Sequence, residues 1–372
     1  MNAHLKKPDR LYFFLVILLT CFGFFVFSSA SLGLLGRDGP SFKDVALKQF
    51  VILLGSFVIC LIFSKINYNA WRRYSLPIFI GTVIFTLLVF VPGLGKLVNG
   101  ANRWIVLPGT RIQPSEFLKL GMVFFLAAWF SQKRINPHSI RQALVPLGIV
   151  LAIVAVLMIA EPDIDTLVIM FASAMGIFFA AGARWRHILA SSVAVLALVA
   201  ILAFTKPYIM RRVQAFFNPA EHTLTSSYQI NQSLIALGSG GLFGRGFGQS
   251  LQKFKYLPEP TSDSIFSVAG EEFGFLGTTI ILGLFTAFGL AGFRIAARAA
   301  NPFGRLLVVG IVIMIIAGAV TNIAAMLGVV PLTGTPLLFI SQGGTALLTV
   351  LISAGIILNV SRHNPKHENR FY

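Results

Sequence analysis

Negative charge is scarce in this chain: 13 of its 372 residues are acidic, against 30 lysines and arginines. Charged residues of both signs make up only 12% of the sequence, whereas soluble domains usually carry about 25%. Hydrophobic residues reach 56%, and the mean hydropathy is +0.81. These values exclude a soluble globular protein of this size and indicate a membrane protein with several spans.

Cysteine is also rare, with Cys21 and Cys60 both inside apolar runs. Neither has the spacing of a metal ligand, so we interpret both as small hydrophobic core residues, and no disulfide framework is implied. Near the N-terminus, basic residues precede an apolar run of about 20 residues, which is too long for the core of a typical signal peptide. We therefore expect a retained first helix.

The hydropathy pattern predicts ten membrane-spanning helices and hence an all-α polytopic fold, because transmembrane barrels would alternate polar and apolar residues. The predicted spans are about 11–31, 46–64, 75–93, 115–131, 142–160, 165–182, 187–204, 268–293, 304–328 and 337–361.

The distribution of positive charge predicts the orientation of these helices. An even number of spans puts both termini on one side, and 17 of the 30 basic residues fall in the short loops and tails of that side. They are Lys6, Lys7, Arg10, Lys65, Arg72, Arg73, Lys133, Arg134, Arg141, Arg184, Arg186, Arg294, Arg298, Arg305, Arg362, Lys366 and Arg370. The positive-inside rule places both termini in the cytoplasm. The net charge of +17 then reflects topology and anionic lipid, so no nucleic-acid partner is expected.

We expect a single membrane domain over 1–372, with a transmembrane bundle at about 11–361 and a cytoplasmic tail at 362–372. Two long connections face outward, at about 94–114 and, between helices 7 and 8, at 205–267. A connection as long as the second is usually functional. Within it we expect short helices at the outer interface, one of them at 228–237.

Four of the 13 acids cluster at 255–277, next to the eighth span. They are Glu259, Asp263, Glu271 and Glu272. Carboxylates are costly at a membrane, so their clustering there suggests a functional site. The structural alternative pairs Glu271 and Glu272 with nearby cations, namely Lys253, Lys255 or Arg245.

A second polar cluster lies at 100–120 on the outward face. Arg103 and Arg111 precede a helix start at Pro114, and Glu116 and Lys119 share one face of that helix. The cluster is either an anchor in the interface, with Glu116 paired to Lys119, or an anion site in which fixed cations hold a phosphate.

The short turn at 161–166 carries Asp163 and Asp165. These carboxylates either cap the next helix, bind a cation, or neutralise a basic residue across the bundle.

Two glycine-rich stretches complete the polar features. The glycines at 238–248 fit flexible turns or close packing better than a phosphate loop, and Pro, Gly and Thr at 322–348 interrupt two apolar helices.

Taken in order, these stretches resemble the SEDS family (shape, elongation, division and sporulation proteins, including FtsW and RodA). The resemblance covers about 11–361 and rests on GANRWI with QPSEFLKL, the PD of EPDIDT, YQINQSLIALGSGGLFGRGFG, KYLPEPTSDSIFSVAGEEFGFLG and NIAAMLGVVPLTGTPLLFISQGG. Details such as YLPEPTSDSIF look more like FtsW, which acts in septal division, than RodA, which acts in elongation.

The resemblance implies a peptidoglycan glycosyltransferase that polymerises lipid II on the outer face of the bacterial cytoplasmic membrane. The essential aspartate of the family falls on Asp263, and its pocket residues fall on Arg103, Glu116 and Lys119. Asp163, Glu259 and Glu272 also match and are expected to bind substrate. The expected partners are lipid II, the glycan linked to undecaprenyl pyrophosphate, a class B penicillin-binding protein that crosslinks the product, and other divisome proteins.

Six positions depart from the family pattern. Asp165 stands where the PDxG motif has glycine, and Thr261 and Ser262 replace His-Thr before the essential aspartate. Ser264, Leu338 and Gln342 stand where Phe, Pro and Tyr are common. None of them replaces a residue expected to be catalytic, but Asp165 leaves the geometry of its turn open.

The mechanism that fits is a single inverting displacement, with Asp263 as the base and Arg103 and Lys119 stabilising the pyrophosphate leaving group. Glu116 would orient Lys119. The main alternative is a lipid II flippase, which needs a polar path through the midplane, and a third is a scaffold without activity. Whether a divalent cation takes part is left open.

Overall fold

The computed structural model describes residues 7–36, 42–98, 101–107, 110–217 and 226–363. The chain is mostly helical. Within these ranges the helices are α1 (Arg10–Ser31), α2 (Phe42–Phe63), α3 (Tyr68–Arg73), α4 (Ser75–Leu87), α5 (Pro114–Phe130), α6 (Val145–Ala160), α7 (Ile164–Ala180), α8 (Trp185–Thr205), α9 (Pro207–Phe217), α10 (Ser226–Ser239), α11 (Gln252–Lys255), α12 (Ile265–Ala297), α13 (Pro302–Met326) and α14 (Gly344–Arg362).

Each of the ten predicted spans coincides with one of these helices. Among the described residues, seven are long and apolar enough to cross a membrane: α1, α2, α6 with its preceding turn, α8, α12, α13 and α14. Two shorter apolar helices are α4, with the 3₁₀ turn that follows it, and α7. The helix α5 carries a buried ion pair near its start. Membrane crossing by all ten helices stays a prediction.

The largest boundary difference is at the last helix. It begins at Gly344 instead of 337, because the chain at 331–343 forms turns and irregular backbone around Pro331, Gly334 and Pro336. Proline lacks an amide donor and clashes with the preceding turn of a helix, so an apolar composition alone does not extend the helix there. Of the predicted tail at 362–372, all but Arg362 and His363 lies outside the described residues.

The expected all-α fold needs one correction, a small antiparallel sheet in the outer connection before α5. It contains β1 (Gly95–Val98), β2 (Ala101–Leu107) and β3 (Thr110–Ile112), in the order β1-β2-β3. Register pairs Gly95 with Ile105 and Ile105 with Ile112. Tryptophan, isoleucine and valine in the middle strand favour extended structure. The run is short and lies between polar and turn-forming residues, so the sequence did not reveal it as a strand.

The centre of the bundle is built from α5, α13 and α14. The helix α13 packs against α5, α7 and α12, while α14 packs against α2 and α5 packs against α4. At the periphery, α8 buries only Leu202. Since α8 is exposed on nearly all sides and rich in Leu, Val and Ala, it is suited to face lipid.

The long helix α12 is interrupted at Gly274, whose φ of +66° and ψ of −162° are not helical. The carbonyls of Glu271 and Glu272 accept hydrogen bonds from the amides of Arg245 (3.0 Å) and Gly246 (2.9 Å). On the other side of the break, the amides of Phe275 and Leu276 donate to carbonyls of the loop at 241–242. The loop thus replaces the hydrogen bonds that the break removes, which keeps the backbone satisfied.

The glycines of this loop are needed for that close approach. A β-carbon at Gly244 would lie 2.1 Å from the Glu272 carbonyl oxygen, and its φ is +80°. The interpretation of the glycine series as turns and close packing is therefore confirmed. The rest of the long connection contains α9, α10 and α11, which confirms the helix predicted at 228–237; 218–225 lies outside the described residues.

Candidate functional site

A small polar cavity lies between the first turns of α5 and α7, the middle of α13 and the loop that precedes α14. It is lined by Arg103, Gln113, Glu116, Lys119, Asp163, Thr166, Ile169, Met314, Gly318, Gly334, Thr335, Pro336 and Leu338. Four of the sequence-predicted site residues are among them: Arg103, Glu116, Lys119 and Asp163. The fold therefore brings together two clusters that are about 45 residues apart in the sequence.

The first turns of α5 supply a buried ion pair. Lys119 Nζ lies 2.8 Å from Glu116 Oε1, and both side chains are almost fully buried. The hydroxyl of Thr349 on α14 lies 3.1 Å from the other Glu116 oxygen and 3.0 Å from the Thr345 carbonyl of its own helix, and it can donate to either. The predicted pairing of Glu116 with Lys119 is thus confirmed.

The guanidinium of Arg103 binds the turn between α6 and α7. Its Nε donates to the Glu161 carbonyl at 2.9 Å, a second nitrogen donates to the Pro162 carbonyl, and Nη1 lies 3.9 Å from Asp163 Oδ1. Asp163 also caps α7, accepting from the Thr166 amide at 3.4 Å. Asp163 therefore both caps α7 and neutralises Arg103, which are two of the roles considered for the carboxylates of this turn.

The carboxyl of Glu161 is fully buried next to these residues. Burial, followed by the charge of Asp163, raises its pKa to about 8, while the charge of Arg103 acts in the opposite direction. Among the described residues neither of its oxygens has a hydrogen-bond partner. At neutral pH the side chain is therefore largely protonated, since the pKa lies above the ambient pH.

Asp263 lies just before α12 and is not one of the lining residues, but its Oδ2 lies 3.7 Å from the position that a β-carbon on the lining residue Gly334 would occupy. The hydroxyl of Ser262 donates to Asp263 Oδ1 at 2.9 Å. Asn322 on α13 donates to the backbone carbonyl of Asp263 at 2.8 Å and to that of Thr335 at 2.7 Å. This asparagine ties the aspartate to the loop that lines the cavity.

The pKa of Asp263 is raised to about 6. Burial is the largest cause, and the negative charges of Glu259 and Asp165 add to it; the hydrogen bond from Ser262 and the positive charge of Arg212 oppose it. Glu259 is itself exposed, with a φ of +45°, and its carbonyl accepts from the amides of Ser262 and Ser264. A carboxylate with a pKa near 6 suits proton abstraction at neutral pH.

Glu272 lies apart from the cavity, in a fully buried cluster behind α12. Lys253 Nζ is 2.6 Å from Glu272 Oε1, and the hydroxyl of Ser29 donates to Oε2 at 2.5 Å. Glu271 accepts from the Ser250 hydroxyl at 2.5 Å and lies 3.7 Å from Arg245. The alternative in which these two glutamates pair with loop cations is confirmed, and substrate binding by Glu272 stays an untested prediction that this geometry does not favour.

Two of the departures from the family pattern contact each other. The Thr261 hydroxyl donates to Gln342 Oε1 at 2.8 Å, and the Gln342 amide donates to the Thr261 carbonyl at 2.7 Å. These bonds join the segment before Asp263 to the segment before α14. Gln342 therefore supports the segment before Asp263 through both its side chain and its backbone amide.

Sequence reasoning missed Arg212 and Asn322. Arg212 on α9 lies 2.9 Å from Asp165, and its positive charge acts on Asp263. The adjacent arginines at 211–212 of an amphipathic segment were a detectable signal, whereas an asparagine inside an apolar helix could be recognised only as a polar residue in need of partners. Within the described residues, no three His, Cys, Asp or Glu side chains lie together so as to hold a metal ion.

Comparison with known proteins gives concordant matches. A family model for FtsW, RodA and SpoVE, described as cell cycle protein, matches residues 9–366. A probable peptidoglycan glycosyltransferase FtsW from Geobacter sp. (strain M18) is 36% identical over 354 residues, covering 95% of this chain and 96% of that protein. Stage V sporulation protein E of Bacillus subtilis (strain 168) is 38% identical over 367 residues, covering 98% and 100%.

Two solved structures are similar over nearly their whole length. A chain from a peptidoglycan synthase complex that coordinates polymerization and crosslinking superposes with a TM-score of 0.79 at 25% identity, covering 97% of this chain and 98% of that one. A mutant of the rod shape determining protein RodA from Thermus thermophilus gives a TM-score of 0.72 at 25% identity, with 98% and 100% covered.

Proposed function

This chain belongs to the FtsW/RodA/SpoVE family of cell cycle proteins, which includes peptidoglycan glycosyltransferases, and from that premise we propose that it polymerises lipid II into glycan strands. The observation that carries the proposal is a carboxylate with a raised pKa, Asp263, beside a cavity that Arg103 and Lys119 line. One base and several fixed cations are what transfer of a sugar from a pyrophosphate requires.

The proposed topology has ten spans with both termini in the cytoplasm, in the cytoplasmic membrane of a bacterium. The excess of basic residues in the short loops and tails of one side supports it. Because the cavity lies at the opposite ends of the helices, it opens at the outer face. The lipid tails of both substrates then stay in the bilayer while their sugars meet in the cavity.

In the proposed reaction, the 4-hydroxyl of the GlcNAc of lipid II attacks the anomeric carbon of the glycan linked to undecaprenyl pyrophosphate. The new bond joins that oxygen to the anomeric carbon, and the bond from this carbon to the pyrophosphate oxygen breaks. Asp263 takes the hydroxyl proton, and undecaprenyl pyrophosphate leaves with the electron pair. A single displacement inverts the anomeric centre.

Negative charge grows on the pyrophosphate as that bond breaks. Lys119 and Arg103 are placed to stabilise it, because a cation whose position is fixed in advance costs little reorganisation in the transition state. The Glu116–Lys119 distance of 2.8 Å and the two backbone carbonyls that hold Arg103 supply that fixed position. Asp163 contributes by holding Arg103 and the start of α7 together.

A septal role, as opposed to elongation, is supported by relatives that are named FtsW. The proposed partners are a class B penicillin-binding protein, which would crosslink the strands, and other divisome proteins. The similarity to a chain of a peptidoglycan synthase complex that combines polymerization with crosslinking supports the first of them.

The proposal is tested by incubating the purified protein with lipid II, with and without its cognate transpeptidase, and separating the products by size. Glycan strands are the expected result. Absence of strands under both conditions would contradict the proposal. Movement of lipid II across protein-containing vesicles would then identify a flippase, and absence of both activities would leave a scaffold.

The rate of polymerisation is expected to depend on pH through Asp263. The base must be ionised to accept a proton, and its pKa is raised to about 6. Activity is therefore full above that value and falls tenfold per pH unit below it, instead of below the usual aspartate value of about 4. Values of kcat/KM for lipid II between pH 4.5 and 8, which report the protein without bound substrate, check this; a kcat/KM that holds constant down to pH 5 would contradict it.

A further inference from the structure

We propose that Arg212 binds the pyrophosphate of the lipid-linked substrate and that Asp165 is the residue that positions it. The inference rests on the proposed glycosyltransferase function and adds to it a cation supplied by the long outer connection. Arg212 belongs to α9, which lies in that connection and not in the bundle. Its role would make α9 a part of the site.

The first argument is the anchoring of the guanidinium. Arg212 Nη1 donates to Asp165 Oδ2 at 2.9 Å, and the same oxygen accepts from the Gly334 amide at 3.0 Å. One carboxylate therefore joins α7, α9 and the loop at 331–343 that lines the cavity, which we call the cavity loop. Asp165 is only slightly exposed, at 12% of its side chain, so this ion pair is screened less by solvent than a surface pair.

The second argument is where the free part of the guanidinium points. Arg212 Nη2 lies 3.8 Å from the position that a β-carbon on Gly334 would occupy, and Asp263 Oδ2 lies 3.7 Å from the same position. Gly334 itself lines the cavity. The second guanidinium nitrogen and the carboxylate of the proposed base thus border the same space beside Gly334, which is where the proposal places the leaving group.

The third argument is chemical. A guanidinium carries five N–H donors in a rigid plane, which suits bidentate contact with phosphate oxygens while one edge remains on a carboxylate. The side chain is 27% exposed, so an incoming anion can reach it. The carboxylate of Asp165 holds one edge of the guanidinium in place.

The neighbouring Arg211 provides a matched control. It has the same charge and lies on the same helix, but it is exposed and its Nε donates to the Pro207 carbonyl of its own helix at 3.4 Å. General attraction of the anionic lipid to a basic loop would make the two arginines equivalent. A site built around Arg212 makes them different.

The experiment compares Arg212→Ala, Arg212→Lys, Asp165→Asn and Arg211→Ala with the wild type in detergent. Binding of undecaprenyl pyrophosphate is measured by native mass spectrometry, and kcat/KM is measured for lipid II. Loss of charge-assisted hydrogen bonds predicts a 10- to 100-fold loss of both in Arg212→Ala. Arg212→Lys, which keeps the charge but not the planar donors, loses less, and Arg211→Ala stays within about twofold.

The pH profile separates positioning from a merely structural effect. The charged groups that act on Asp263 are Glu259 and Asp165, which raise its pKa, and Arg212, which lowers it. Arg212→Ala should therefore move the acidic limb to higher pH and Asp165→Asn should move it to lower pH. Arg211→Ala should leave it in place, and thermal unfolding confirms that each variant is folded.

Equal binding of undecaprenyl pyrophosphate by wild type and Arg212→Ala would overturn the inference, whether or not glycan is made. If the wild type makes no glycan but its binding depends on Arg212 and not on Arg211, the anion site stands and the glycosyltransferase proposal fails. An equal loss of undecaprenyl pyrophosphate binding in Arg211→Ala and Arg212→Ala would show that only the general positive charge of α9 matters. That result would also overturn the inference.

Discussion

Asp263→Asn is expected to abolish glycan synthesis, with a loss of about 10²- to 10⁴-fold in rate. Asparagine has nearly the same shape but cannot take the proton of the attacking hydroxyl, and removal of a general base typically costs this much. The hydrogen bond from Ser262 and the backbone contact from Asn322 should keep the variant folded. The measurement is the initial rate of lipid II polymerisation in the presence of the transpeptidase.

The matched control is Asp44→Asn, which removes an exposed carboxylate from the first turn of α2. It makes the same chemical change without touching the cavity and should keep the wild-type rate. A polymerisation rate in Asp263→Asn within a few fold of the wild type would show that Asp263 is not the base. Wild-type substrate binding by the variant, together with loss of turnover, would locate the defect in the chemical step.

Lys253→Ala is expected to destabilise the protein by about 3–5 kcal/mol, more than any surface substitution. Lys253 and Glu272 are both fully buried and 2.6 Å apart, so removing the lysine leaves an uncompensated buried carboxylate. The cluster also contacts the loop whose backbone groups replace the hydrogen bonds that the break in α12 removes. Thermal unfolding in detergent measures the effect as a lower midpoint.

Lys255→Ala is the control for that substitution, since Lys255 is two residues away and exposed; its midpoint should change little. The double variant Lys253→Met with Glu272→Leu removes both charges and should recover part of the lost stability, because no buried charge is left unpaired. The recovery is incomplete because the buried Ser29 hydroxyl loses its acceptor on Glu272. An unchanged midpoint in Lys253→Ala would rule out a structural role for the pair.

The hydropathy of successive segments was sufficient to predict the ten helices, since apolar segments of this length have few structural alternatives in a bilayer. The same reasoning failed where proline and glycine break the pattern, and it placed the start of α14 seven residues too early. It also missed the sheet formed by β1, β2 and β3, because strand pairing depends on partners elsewhere in the chain and not on composition alone.

The candidate site was predicted only in part. The identities of Arg103, Glu116, Lys119 and Asp163 came from spacing and family resemblance, and the structure places them around one cavity. Glu272 matched the same family pattern, yet it lies in an ion pair with Lys253. Acidic character is visible in a sequence, but the partner of a charge is not, because it depends on which loop folds against which helix.

The sequence by itself determined that this is a helical membrane protein, where its helices run, and which family it belongs to, because these depend on local composition and on motifs read in order. Only the tertiary structure decided which charges meet. Arg212 reaches Asp165 from 47 residues away, and Asn322 reaches Asp263 from 59 residues away. Such contacts form because buried polar groups must find partners in the packed bundle, wherever in the chain those partners lie.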